Sequence, residues 1–291
     1  MSCVKGPEKG SIRDQIHRLT VTGESKGAGN INSIHFLAYR GVPCLECGKH
    51  RQQGGSLFES TSLAHGSLWQ WPEDAFPSSC AAWDQATLEL EENATHFGFV
   101  MAGPARLEVT AGEFTLGPGM FFSAPGACKL SAGQGFVASR LGYGGFFYLG
   151  GPVEDQGRLR YIDGCSDSLL IPPVVWGDPC LNLLVFPPRI DQTLHTHPSL
   201  RLGGVILGQG RCVLEDREVP LQRGTLFAIP SETVHAFRTG DQGMAIIAYH
   251  PDSDFGPRHQ DHPMINRTMV SGQSARYLDH IHTPAKAEVS P

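Results

Sequence analysis

The sequence predicts an all-β chain made of two tandem, similar barrels, and three observations carry that prediction. Short apolar runs alternate with Gly, Pro and Asp punctuation from about Ser56 to residue 250, and helical periodicity over a dozen residues is hard to find there. Glycine (35) and proline (21) exceed average usage and occur singly, which suits many short strands joined by turns. An internal repeat with an offset of 105 residues links the halves: Gly103 recurs as Gly208, Arg106 as Arg211, Leu116 as Leu221, Gly119 as Gly224, Phe122 as Phe227 and Pro125 as Pro230. Six matches in register over 23 positions mark two copies of one strand–glycine–strand–proline pattern.

The expected organisation follows in chain order. Residues 1–55 carry Lys5, Glu8, Lys9, Arg13, Asp14, Glu24 and Lys26 among glycines, and read as a flexible leader or arm with too little apolar area to offset the entropy of ordering. Residues 56–155 form a first barrel, 156–270 a second, and 271–291 a tail. The stretch after Asp252 is rich in Asp, His and Pro, and is expected to wrap back over a barrel or cross to a partner subunit; a homodimer is the expected assembly. The net charge of −6 and the lack of a long basic stretch argue against a nucleic-acid partner. No run of 18 apolar residues suggests a membrane span. The polar N-terminus lacks an apolar signal core, so a cytoplasmic location is expected, with the eight dispersed cysteines (3, 44, 47, 80, 128, 165, 180 and 212) read as reduced thiols.

The candidate site lies in the second half. His195 and His197 are separated by one residue, so on a strand both point to the same face. The segment from Gly224 to His235 runs as an apolar strand into a Pro230 turn and delivers a third histidine. Three neutral imidazoles converging from two strands suit Fe(II), Zn(II), Mn(II), Ni(II) or Cu(II).

These residues resemble the cupin superfamily, whose first motif has the form G-x5-H-x-H-x(3,4)-E-x6-G and whose second has the form G-x5-P-x-G-x2-H-x3-N. His195, His197 and Gly208 match the first motif; Gly224, Pro230 and His235 match the second. Four positions depart from it: Arg189 and Glu232 stand where glycines are expected, Thr239 replaces the asparagine, and Arg201 occupies the place of the glutamate ligand. The resemblance implies a double-stranded β-helix, jelly-roll-like barrel for each copy, and one divalent metal ion held by the three histidines. Three-histidine sites of this superfamily occur in dioxygenases, so the resemblance implies a mononuclear Fe(II)-type dioxygenase acting on a small carboxylated or enolisable substrate. The same scaffold hosts redox-neutral isomerases and lyases, and bicupins that bind or sense a small ligand without turnover.

Arg201 bears most on the substrate. A guanidinium cannot shed its proton, and beside a metal held by neutral ligands it calls for an anion. One reading makes Arg201 the anchor of a substrate carboxylate or enolate; the other sends it out of the barrel to pair with Glu215 or Glu218. Val205, Leu207 and Phe227 are the expected apolar pocket wall.

The first copy has lost the chemistry. The 105-residue offset sets Leu90 against His195, Glu92 against His197, Leu130 against His235 and His96 against Arg201, and leucine cannot ligate a metal. Weaker signals are a candidate zinc site beginning at Cys44, Cys47 and His50, with His35, His65 or Cys80 to complete it; Trp69 and Trp71 as a lid or domain-packing element; and His259, Asp261 and His262 in the tail as a candidate metal cluster.

Overall fold

The computed structural model describes residues 58–258 and 262–282. The leader with Cys44, Cys47 and His50, the tail beyond 282, and His259 and Asp261 lie outside them. The described chain is nearly all β, as the sequence predicts. Its strands are β1 (Glu59–Ser62), β2 (Gly66–Trp71), β3 (Ser78–Asp84), β4 (Leu88–Leu90), β5 (Ala94–Ala102), β6 (Ala105–Val109), β7 (Gly112–Leu116), β8 (Phe121–Pro125), β9 (Cys128–Ser131), β10 (Gln134–Leu141) and β11 (Tyr148–Gly150). They continue as β12 (Leu159–Arg160), β13 (Ser166–Ile171), β14 (Cys180–Phe186), β15 (Arg201–Leu214), β16 (Glu218–Gln222), β17 (Thr225–Ile229), β18 (His235–Arg238) and β19 (Met244–His250). A short helix α1 (Pro263–Arg267) and a two-stranded β20 (Met269–Val270)–β21 (Gln273–Ser274) ribbon follow. His262 is the N-cap of α1, its Nδ1 accepting from the Met264 N–H at 3.1 Å.

Each half pairs a large antiparallel sheet with a small one. In the first half the order β11-β8-β5-β10-β3-β2 faces a small β4-β9-β6-β7 sheet. In the second, β1-β17-β15-β19-β14-β13-β12 forms the large sheet, and the far end of the long β15 pairs with β16 and β18. β15 enters both layers by bending at Gly208, where φ is +71° and a Cβ would fall 1.9 Å from the Gly243 carbonyl oxygen, so only glycine fits. β1 departs from the expected order: the sequence places residues 59–62 in the first barrel, yet they pair antiparallel with β17 of the second, and Phe58 is buried in the second half's core.

The repeat is visible as packing. Phe122 lies over Gly98 and Phe227 lies over Gly203, each pair 105 residues apart, and a Cβ on either glycine would fall within 2.4 Å of the ring. The Arg106–Glu113 ion pair recurs as Arg211–Glu218. The two large sheets also pack on each other. Phe97, Phe99 and Phe136 meet Leu181, Leu183, Ile206, Ile247 and Tyr249 in one shared cluster, with Trp69 and Trp71 against it. These strands are covered on both faces, which is why β14 reads as a nearly unbroken apolar run (Leu181 and Leu183 outward, Leu184 and Phe186 inward).

The five cysteines among the described residues are free and buried. Burial pushes the thiols of Cys80, Cys128, Cys180 and Cys212 up to about 12.

Candidate metal centre

His195 and His235 form a two-residue bridge, each backbone N–H donating to the other's carbonyl at 2.9 Å. His197 is held to the same turn by the Glu232 N–H, which donates to its carbonyl at 2.8 Å. Asp163 braces the approach by accepting from the Thr193 N–H at 2.7 Å. The three rings face one another, with centroids 4.6 Å (195–235), 5.1 Å (195–197) and 5.2 Å (197–235) apart. One nitrogen from each ring lies within 4.8 Å of the other two. Ligands at about 2.0–2.1 Å from a common zinc-like ion stand no more than about 4.2 Å apart, so a small closure completes the geometry.

The tautomers are set from the backbone. His195 Nδ1 lies 2.7 Å from the Thr193 carbonyl and His235 Nδ1 lies 2.8 Å from the Thr233 carbonyl. A carbonyl only accepts, so each Nδ1 carries the proton and each Nε2 presents its lone pair to the shared point. Burial, then the Arg201 charge and the neighbouring rings, lowers His197 to about 3. Burial is also the first cause that lowers His235 to about 4. Both are neutral at physiological pH, the state a metal requires of them.

The positions that depart from the expected motif keep its backbone. Arg189 (φ 61°) and Glu232 (φ 60°) both adopt the left-handed conformation that glycine would supply. Thr239 donates from Oγ1 to the Pro187 carbonyl at 2.6 Å and accepts the Ile190 N–H at 2.9 Å, pinning the segment that leads to the site.

Arg201 does not follow either expectation fully. It turns inward and lines the cavity, with its side chain 11% exposed. It does not reach Glu215 or Glu218; Glu218 is engaged by Arg211 and Arg238. Its Nη1 donates to Ser199 Oγ at 2.6 Å and stands 3.8 Å from Asp252, which itself accepts from Ser199. A carboxylate within the chain therefore already faces the guanidinium, and the charge alone does not demand an anionic substrate.

The pocket wall needs a second correction. Phe227 lines the cavity, but Val205 and Leu207 do not. Val205 faces the same interior at a deeper level, fully packed among Phe227, Ile246 and their neighbours. A register shift between Val205 and Leu207 then turns Leu207 toward the cluster between the two large sheets. The observed lining adds Phe186, Ile229, Phe237 and Ile246. It also adds polar groups that sequence reasoning missed: Tyr161, Asp167, Asn182, Gln192 and His250. Asn182 left a signal as the lone amide inside the apolar run Cys180–Phe186. Burial first, then Arg201 and His197, lowers His250 well below the usual imidazole range. The cavity volume is about 60 Å³.

In the first half the ladders place different residues at the equivalent points. The repeat holds through Pro125 and Pro230, after which the first copy is two residues shorter. Leu90 pairs with Cys128 there as His195 pairs with His235 here, so Cys128, and not Leu130, occupies the place of His235. Leu130 corresponds to Phe237. Leu90 stands at the place of His195, and Glu92 is exposed. His96, at the place of Arg201, is buried and occupied, Nδ1 on Ser139 Oγ at 2.7 Å and Nε2 on the Glu91 carbonyl at 2.9 Å.

Residues 182–250 match the cupin domain family. No curated protein matches the chain by sequence. Solved structures similar to it include a cupin 2 conserved barrel domain protein from Leptotrichia buccalis (TM-score 0.45, 11% identity, 68% of this chain and 90% of that one). Another is the protein Ylba from E. coli (TM-score 0.47, 16% identity, 69% and 93%). A third is a salicylate 1,2-dioxygenase from Pseudoaminobacter salicylatoxidans (TM-score 0.45, 10% identity, 59% and 70%). Among the described residues no helix is long and apolar enough to cross a membrane.

Proposed function

We propose that this chain is a mononuclear metal-dependent enzyme, a dioxygenase of the cupin type, whose second barrel binds a small carboxylated or enolisable substrate while the first is structural. The observation that carries the reading is the convergence of His195, His197 and His235 with two of the three tautomers set from the backbone. His195, His197 and His235 would hold one divalent ion, Fe(II) ahead of Zn, Mn, Ni or Cu. A bound Fe(II) supplies electron transfer and a cationic contact for a substrate oxygen. Phe227, Phe237 and Ile229 exclude water from that space. Arg201, whose Nη1 is held by Ser199 and Asp252, keeps its Nε–H without a partner and donates it to a substrate oxygen.

Elemental analysis of protein purified without a histidine tag, joined to oxygen uptake with small enolisable acids, tests the reading. One metal per chain and substrate-dependent oxygen uptake are the expected results. Metal-free protein that takes up no added Fe(II) would overturn it. A redox-neutral isomerase or lyase is the second reading, favoured by Asp167, whose carboxyl burial pushes up to about 6, near the range where proton transfer at neutral pH is efficient. Turnover without oxygen consumption would select it.

A further inference from the structure

Four residues that line the cavity each hold a deeply buried polar atom that has no hydrogen-bond partner among the described residues: Asp167 Oδ1, Asn182 Oδ1, Gln192 Nε2 and Arg201 Nε. Their orientations are fixed. Asn182 Nδ2 donates to Asp167 Oδ2 at 3.2 Å, which leaves the amide oxygen as the unpaired end. The Phe237 N–H donates to Gln192 Oε1 at 3.1 Å, which leaves the Gln192 NH2 as the unpaired end. Asn182 and Gln192 are 4% and 3% exposed, so bulk water does not satisfy them. A buried donor or acceptor without a partner carries a desolvation cost, and native structures rarely keep several in one place without a ligand or an ordered water.

Two of these atoms accept and two donate, and they come from both walls. Asp167 and Asn182 sit on adjacent strands of the large sheet, on β13 and β14. Gln192 belongs to the opposite wall, where its backbone N–H donates to the Phe237 carbonyl two residues from His235. The first barrel has an alanine, Ala81, at the place of Asn182.

We propose that these four groups form a substrate-orienting subsite, with Asp167 and Asn182 accepting from a hydroxyl or amino group while Gln192 and Arg201 donate to a carboxylate or carbonyl oxygen. The ligand class is a small acid or carbonyl compound that also bears a hydroxyl or amino group. The inference shares the cavity of the proposed metal site, and it rests on that reading only for where the reacting atoms lie.

Titration calorimetry with probe pairs that differ in one donor tests it: propionate against lactate, and benzoate against the three monohydroxybenzoates. Zn(II)-loaded and EDTA-treated proteins are both used. In each series at least one hydroxylated member should bind at least about tenfold tighter than its parent. Asn182→Leu should cut that advantage to less than about twofold, with parent-acid affinity nearly unchanged. Gln192→Glu should weaken the acids with and without the hydroxyl alike. Should Asn182→Leu not fold, Asp167→Ala, which removes both carboxylate oxygens, gives the same readout. Equal affinity within every pair overturns the subsite, as does an advantage that survives both the Asn182 and Asp167 substitutions or a cavity that takes up only water. Donor preference in EDTA-treated protein upholds the subsite even where no metal binds; metal uptake without donor preference overturns the subsite and leaves the metal reading standing.

Discussion

The two barrel interiors are built from the same ladders and filled differently. In the first, Trp83 is fully buried and donates from Nε1 to the Ala132 carbonyl at 2.9 Å. Its ring needs glycine opposite: a Cβ on Gly135 would fall 2.2 Å from the indole. In the second, the equivalent cross-strand pair is Leu184 and Ile246. Both of these smaller side chains line the cavity. One barrel thus fills its interior with packed side chains and the other keeps a cavity, with Leu90 facing Cys128 where His195 faces His235.

The largest expected effect separates these two interiors by stability. Trp83→Ala should cost about 3–5 kcal/mol, because a fully buried indole leaves a cavity that the surrounding strands close only in part. Leu184→Ala, at a half-buried position already beside empty space, should cost about 1–2 kcal/mol. Urea unfolding of the two variants checks this; equal losses would mean that the interiors are packed alike.

The second effect concerns the metal. His195→Leu gives the second barrel the residue type of the first at that point. Metal affinity should fall by at least about a hundredfold, about 2.8 kcal/mol, with the thermal midpoint of metal-free protein within a few degrees of wild type. Metal titration monitored by elemental analysis after desalting reads it. Undiminished affinity would mean that the ion is held elsewhere.

How much of this was legible in the sequence depends on how local the signal is. The repeat was readable because glycine and proline mark turns that cannot move, and the same offset predicted Phe122 and Phe227. The register beyond Pro125 was not, since a two-residue difference in a turn shows only in the ladder, and it exchanges Leu130 for Cys128. The pairing of β1 with β17 was hidden because Glu-Ser-Thr-Ser is a polar edge segment without a pattern that names its partner. The three histidines were found from spacing. Asp252, the partner of Arg201, lies 51 residues away and is brought in by the end of β19, which no local pattern reports. Val205 and Leu207 failed as lining residues because strand alternation gives a face but neither depth nor bulges.

The third effect is a pH dependence confined to the open barrel. Burial raises the Asp167 carboxyl from 3.8 to about 6. The folded state therefore holds this proton more tightly than the unfolded chain. Its contribution favours folding fully below pH 3.8 and is lost as pH rises through 6. Above pH 7 the buried carboxylate is a burden of order 2 kcal/mol after allowance for its partial exposure. Asp167→Asn should then be more stable than wild type at pH 8, with the advantage shrinking toward pH 4. Parallel unfolding curves across that range would place the carboxylate in a solvated setting.

The smallest effect tests whether the halves differ where they look most alike. Arg106–Glu113 and Arg211–Glu218 are equivalent ion pairs on the outer surface, 2.8 and 2.9 Å long, with each side chain about half exposed. Exposed pairs of this kind contribute about 0–1 kcal/mol, since water screens the attraction and two long side chains lose freedom. Glu113→Gln should therefore cost no more than about 0.5 kcal/mol. Glu218 has a second partner in Arg238 at 3.1 Å, and Arg238 also contacts Asp191 beside the segment that carries Gln192. Losing Glu218 removes two contacts of a four-member surface network rather than one isolated pair. Glu218→Gln should cost slightly more than Glu113→Gln, and the difference should vanish at about 1 M salt, where the Debye length falls to about 3 Å. Equal costs at low salt would mean that Arg238 gains nothing from its second carboxylate, and that the network adds no stiffness to the wall of the site.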